Sequence, residues 1–187
     1  MTLDTALRAL EVALRTSPPG VWVRHSVWGW PVLESLHFMG MSVLIGTIGL
    51  FDLRLLGFAR GVPYAALHRL IPLGIGAYTL NLLTGLVFLS GMPDQYLWNP
   101  AFRFKVLFMA VAGFNALSFY VVAARRTMGP GAEDEVPRAA KIIAVTSILM
   151  WIGVIVCGRL LTFYRPGTCG PEGPGFLAYC VPQVKRF

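Results

Sequence analysis

Five side chains that could bind a metal or carry charge lie within otherwise apolar stretches of the sequence. They are Glu34, His37, Lys105, Met109 and Arg159. Imidazole and thioether groups bind transition metals, while lysine and arginine cations pair with carboxylate groups. Because polar groups are costly in apolar surroundings, each of these side chains predicts a partner or a function.

The spacing of these residues predicts that they share one region. Glu34, His37 and Met41 stand at positions i, i+3 and i+7, so a helix would carry them on one face. Counted from the ends of the apolar stretches, at about 1.5 Å per helical residue, all five side chains fall at comparable depths in one half of a bilayer. The sequence therefore predicts a polar site centred on His37, in the outer half of a membrane protein.

The elements that must position this site are four apolar segments, near residues 28–53, 64–90, 102–124 and 139–164. Each reaches the roughly 20 residues that a transmembrane helix needs. The chain is 56% hydrophobic and 13% charged, whereas soluble domains carry roughly 25% charged residues. We predict an all-α fold, with residues 1–187 forming a single membrane domain built as a four-transmembrane-helix bundle.

Both ends of the chain are more polar. Leucines recur at helical spacing in the first segment, at Leu3, Leu7, Leu10 and Leu14. Residues 1–17 are therefore expected to form an amphipathic helix, which either packs on the bundle or lies in the membrane interface. Residues 165–187 are expected to form a tail outside the membrane.

The charge pattern and two cysteines bear on localisation. The net charge of +7 arises from basic residues at the ends of apolar segments, which indicates a lipid bilayer and not nucleic acid as partner. Their distribution favours cytoplasmic first and third loops. Cys169 and Cys180 flank a short segment after the last helix, and they would form either a disulfide in an oxidising periplasm or two free thiols. We expect a bacterial inner membrane protein with periplasmic termini.

The leading interpretation of the polar site is a b-type haem in a redox or electron-transfer subunit without enzymatic turnover of its own. His37 would be an axial ligand and Met109 a possible second one, while Lys105 and Arg159 would pair with the propionates. His68 lies near the opposite membrane face, on the order of 15 Å away by helical rise, which is too far to share one iron with His37.

Small residues near this site do not decide whether it has room for a bound group. The third segment carries Ala112 and Ala116 on the face of Lys105 and Met109, and they allow either a flat group or close helix packing. The second segment has a small and polar face, made of Gly74, Ala77, Tyr78, Asn81, Thr84 and Gly85.

Two other interpretations remain open. In one, His37, Met41 and Met109 handle copper, because imidazole and thioether groups suit Cu(I). In the other, nothing is bound, and Glu34 and Arg159 form a buried ion pair in an accessory or scaffold subunit of a larger membrane complex. The sequence has no phosphate-binding glycine motif and no nucleophile elbow, which argues against a nucleotide-driven enzyme or a hydrolase.

Three segments of the chain look familiar, namely LESLHFMGMSVLIGTIGLFDLRLLG (Leu33–Gly57), NPAFRFK (Asn99–Lys105) and VCGRLLTFY (Val156–Tyr164). They resemble a family of uncharacterised bacterial four-helix membrane proteins, which is distantly similar to CopD-type copper-resistance membrane proteins and small b-type cytochromes. The resemblance implies a four-helix bundle and supplies no function. Its matching segments also contain Asp52 and Arg54, for which an ion pair that fixes the first loop is expected.

Overall fold

The computed structural model describes residues 3–58, 60–127, 136–166 and 182–184. The helices of these ranges are α1 Leu3–Thr16, α2 Pro18–His25, α3 Gly29–Leu55, α4 Tyr64–His68, α5 Ile71–Gly91, α6 Pro93–Leu97, α7 Pro100–Val122, α8 Ala124–Thr127 and α9 Arg138–Phe163. Strand β1 (Tyr164–Pro166) pairs antiparallel with β2 (Pro182–Val184). Cys169 and Cys180 of the predicted disulfide lie outside the described residues.

Four stretches of helix in the described ranges are long and apolar enough to cross a membrane. They are Gly29–Leu55, Tyr64–Gly91, Pro100–Val122 and Arg138–Thr162. Large apolar side chains stand exposed on them, such as Phe114 at 73% and Val121 at 85%, which suits lipid as the surrounding solvent. The predicted all-α fold with four membrane-spanning segments is confirmed, and the chain has the character of a multi-pass membrane protein.

The second of these stretches is interrupted near its start. Helix α4 ends at His68, and α5 begins at Ile71 with Pro72 as its second residue. Proline lacks the backbone N–H that continues a helix, but its fixed φ suits a first helical turn, where that N–H has no partner. Pro72 therefore accounts for the division of the segment into a short and a long helix.

The chain divides into two compact units. Unit 1 comprises Met1–Phe38, Leu80–Val106 and Ile155–Phe187, and unit 2 comprises Met39–Thr79 and Leu107–Val154. Each unit contains parts of all four long helices, which pack into a helical bundle. The core of unit 1 includes Val23, Leu33 and Phe88, and that of unit 2 includes Leu55, Phe119 and Ala144.

The predicted amphipathic helix is present as α1 and packs within unit 1. Its leucines Leu7 and Leu14 contact the buried pair of Leu97 and Trp98 at the end of α6. Its charges bind there as well, since Arg15 forms an ion pair with Asp94 at 2.7 Å. The packed arrangement, one of the two interpretations of this helix, therefore describes α1.

The Arg54 side chain binds the loop that follows α3, and it does not bind Asp52. The Arg54 side chain donates to the carbonyl of Val62 at 2.8 Å and to the hydroxyl of Tyr64 at 3.2 Å. Its guanidinium also lies over the Tyr64 ring, 4.2 Å from the centroid. Because residues two apart on a helix face different sides, Asp52 and Arg54 diverge, and the predicted ion pair between them is wrong.

Candidate functional site

His37 on α3 is held by a hydroxyl group of α5. Its Nδ1 lies 2.7 Å from the Oγ1 of Thr84, and this hydroxyl is 2.8 Å from the carbonyl oxygen of Leu80 one turn earlier. A threonine hydroxyl has a single proton, and the Leu80 carbonyl is within reach as its acceptor. We assign this proton to the helix backbone, so that Thr84 accepts from His37 Nδ1–H and the lone pair of the imidazole is on Nε2.

An aromatic side chain fixes the imidazole ring from a second direction. Phe88 lies one helical turn beyond Thr84 and meets the His37 ring edge-on, with 5.7 Å between the ring centroids. Phe88 is itself buried and packs against Trp30 at 4.8 Å. Because α5 supplies both the hydrogen-bond acceptor and the packing surface, the ring has a defined orientation.

The other two long helices bring a cation and a thiol to the same region of unit 1. Lys105 on α7 is partly buried, and its charge lies close enough to act on both His37 and the buried Cys157 of α9. Gly158 of α9 lies beside the ammonium group, since a Cβ there would be in ordinary contact with Lys105 Nζ at 3.7 Å. His37, Thr84, Phe88, Lys105 and Cys157 are called the His37 cluster below.

The structure unites part of the predicted site. His37 and Lys105 belong to the His37 cluster. Glu34 and Arg159 lie in the same unit but have exposed side chains, so neither is buried as the ion-pair interpretation expected. Met41 and Met109 lie in unit 2, where Met109 lines a cavity.

The described residues around His37 do not provide a full set of side-chain ligands for a metal ion. Among the residues that the structure describes, no group of three or more His, Cys, Asp or Glu side chains could hold a metal ion. In the Nδ1–H tautomer, His37 Nε2 could bind a metal as a single protein ligand.

Unit 2 contains a second candidate site, a cavity of about 500 Å³ that is lined by residues of α3, α5, α7 and α9. Its lining is largely apolar, with a few polar groups that include Asp52, Asn115 and Ser147. Asp52 is 5% exposed, and its Oδ2 is buried without a hydrogen-bond partner. The side chain of Ser147 hydrogen-bonds the same carboxyl group. This region is called the Asp52 cavity below.

Close contacts between the helices shape the wall of the Asp52 cavity. A Cβ at Gly74 of α5 would lie 2.9 Å from Thr47 Oγ1 of α3, so only glycine permits this approach. Tyr78 on the same face of α5 packs edge-on against Trp151 of α9, at 6.4 Å between the ring centroids. The cavity thus has a defined frame around its open space.

Comparison with known proteins gives a family and no activity. The model of a family of unknown function matches residues 29–164, a range that includes all four long helices. No curated protein and no solved structure matches the chain. The matched range is well over half of the chain, so this membrane protein belongs to the family of unknown function DUF6644.

Proposed function

We propose that the protein is a membrane-embedded redox subunit that binds a b-type haem at the His37 cluster, with His37 Nε2 as an axial ligand. The hydrogen bond from His37 Nδ1 to Thr84 Oγ1 carries the proposal. Histidines that bind metals donate their other ring N–H to an acceptor, which fixes the tautomer and the ring orientation. The bound haem would supply one-electron transfer, while the chain holds and orients it.

Lys105 supports the same proposal through its charge. A partly buried ammonium group near His37 calls for an anion, and a haem brings carboxylate groups in its propionates. Lys105 would bind a propionate and so set the direction in which the haem enters. The roles of Met109 as second axial ligand and of Arg159 as second propionate partner stay predictions.

The wider setting is part of the proposal. A distant similarity to small b-type cytochromes and CopD-type proteins, which the sequence segments led us to expect, would agree with a redox or metal-linked role. The distribution of basic residues supports a bacterial inner membrane with the chain termini in the periplasm. A protein of this kind would pass electrons between partner subunits or redox carriers without converting a substrate itself.

The proposal is tested by absorption spectroscopy of the full-length protein in lipid nanodiscs, expressed with a haem precursor and then titrated with haemin. A Soret band that changes on reduction is expected. The His37→Ala variant should lose at least about 90% of this band, because an iron without its axial ligand is held weakly. His25→Ala is the matched control, because His25 is exposed at the end of α2, and it should retain the band.

A native protein without a Soret band after haemin titration would contradict the haem proposal, as would a band that is equal in His37→Ala. Metal analysis of the same samples separates the alternatives. Stoichiometric copper that is lost in His37→Ala would favour copper handling, and stable co-purification of other subunits without any cofactor would favour a scaffold.

A further inference from the structure

We propose that the Asp52 cavity binds a lipophilic amine, with its protonated nitrogen paired to the Asp52 carboxyl group and its apolar body in the cavity. All residues that line the cavity belong to unit 2. The proposal uses none of the five residues of the His37 cluster, which all belong to unit 1.

The size and lining of the cavity define the body of the ligand. At about 500 Å³, the volume falls within the roughly 300–1,000 Å³ that is typical of small-molecule sites. The lining is mainly aliphatic and aromatic, with Phe51, Phe119 and Trp151 among its larger members. Such a lining favours a compact hydrocarbon or aromatic group over a sugar or a nucleotide.

Asp52 defines where the polar end of the ligand lies. Nearly all buried polar atoms in proteins have a hydrogen-bond partner, yet Asp52 Oδ2 has none although the side chain is 5% exposed. A ligand that donates a hydrogen bond to Oδ2 would remove the cost of this unpaired atom.

The remaining polar groups of the cavity also favour a donor. Ser147 binds Asp52, the amide of Asn115 donates to the carbonyl of Ile143 at 2.9 Å, and the hydroxyl of Thr47 donates to its own helix. The oxygens of Ser147, Asn115 and Thr47 have lone pairs that can accept from a ligand, while the Asn115 amide also keeps a second N–H. Together with Asp52 Oδ2, these oxygens offer a ligand several acceptors.

The negative charge of the Asp52 carboxyl group favours a protonated amine over other hydrogen-bond donors. The cavity lining has no lysine, arginine or histidine among the described residues, and the nearby Arg54 is bound to the loop after α3. A protonated amine supplies both the donor and the opposite charge, whereas an alcohol supplies only the donor. A carboxylate would meet Asp52 with like charge, which disfavours it.

Three probes with the same apolar cage test this selectivity by calorimetric titration of the full-length protein in nanodiscs, with empty nanodiscs as blank. They are 1-adamantylamine, 1-adamantanol and 1-adamantanecarboxylate. The amine is expected to bind at least about tenfold more tightly than the alcohol, because only the amine brings a positive charge to the buried carboxyl group.

Two variants test the role of Asp52. Asp52→Asn should reduce amine binding to the level of the alcohol, while Asp94→Asn on α6 should preserve the preference for the amine. Equal binding of amine and alcohol to the native protein, or a preference retained in Asp52→Asn, would overturn the proposal.

A pair of variants on α7 tests the location. Ala116 lines the cavity and Ala110 does not, and both side chains are exposed. Ala116→Leu should weaken the binding of amine and alcohol at least about tenfold, because the added carbons occupy the ligand space. Ala110→Leu should leave both affinities within about twofold. Unchanged amine affinity in Ala116→Leu would place the site elsewhere and so contradict the assignment.

Discussion

The His37 cluster and the Asp52 cavity differ in how a polar side chain within the apolar helices is hydrogen-bonded. In unit 1, His37 Nδ1 is hydrogen-bonded to the Thr84 hydroxyl, and the ring packs against Phe88. In unit 2, Ser147 hydrogen-bonds the Asp52 carboxyl group, but Oδ2 has no hydrogen-bond partner and borders the cavity. The first arrangement suits a fixed ligand atom such as an iron, whereas the second suits a molecule that enters and leaves.

The two arrangements should contribute to the unfolding free energy with opposite signs. A buried hydrogen bond contributes roughly 0.5–1.5 kcal/mol to stability, while an unpaired buried group costs roughly 1–3 kcal/mol. Apolar replacement of a group that serves as a partner should therefore destabilise unit 1. Apolar replacement of the half-partnered group should stabilise unit 2.

The largest effect on stability is expected for Thr84→Val, which keeps the side-chain shape but removes the acceptor of His37 Nδ1–H. The unfolding free energy should fall by about 2 kcal/mol, because the imidazole N–H is left unpaired. Denaturant titration followed by tryptophan fluorescence measures this change. Thr79→Val is the matched control, since the Thr79 hydroxyl is exposed and donates to its own helix at Ile75. Similar losses in both variants would refute the role given to Thr84.

A smaller effect of opposite sign is expected for Asp52→Leu, whose larger side chain can extend into the cavity. The unfolding free energy should rise by about 1 kcal/mol, because the unpaired carboxyl oxygen is removed. The same denaturant titration serves as the measurement. Asp94→Leu is the comparison, and it should not stabilise, since Asp94 already pairs with Arg15. A loss of stability in Asp52→Leu would show that Asp52 is well satisfied without a ligand.

The sequence predicts the helices well because the bilayer restricts the possibilities. Apolar stretches near 28–53 and 64–90 became helical stretches at Gly29–Leu55 and Tyr64–Gly91. In lipid, backbone hydrogen bonding demands helix, so length and hydropathy are sufficient evidence. The helix break before Ile71 could also be predicted, because Pro72 has no backbone N–H with which to continue a helix.

The two sites were harder to predict because they depend on how each helix is rotated. Depth along the helices correctly brought His37 and Lys105 together, but Glu34 one turn earlier is exposed. Thr84 was placed only on a small and polar face, and Ser147 was not predicted, because hydroxyls in apolar helices usually bind only their own backbone. Small residues were ambiguous as well, since Gly74 allows a close contact with Thr47 while Ala112 and Ala116 line open space.

The tautomer of His37 determines whether it can bind a haem iron, because a haem ligand needs a free Nε2 lone pair. The sequence contains three histidines, so ¹⁵N NMR of histidine-labelled, haem-free protein can be assigned with His37→Ala and His25→Ala. At a pH where the ring is neutral, we expect the Nδ1–H tautomer for His37 and its loss in Thr84→Val. An Nε2–H tautomer in the native protein would contradict haem ligation by His37, because Nε2 would then be a donor with no lone pair for a metal.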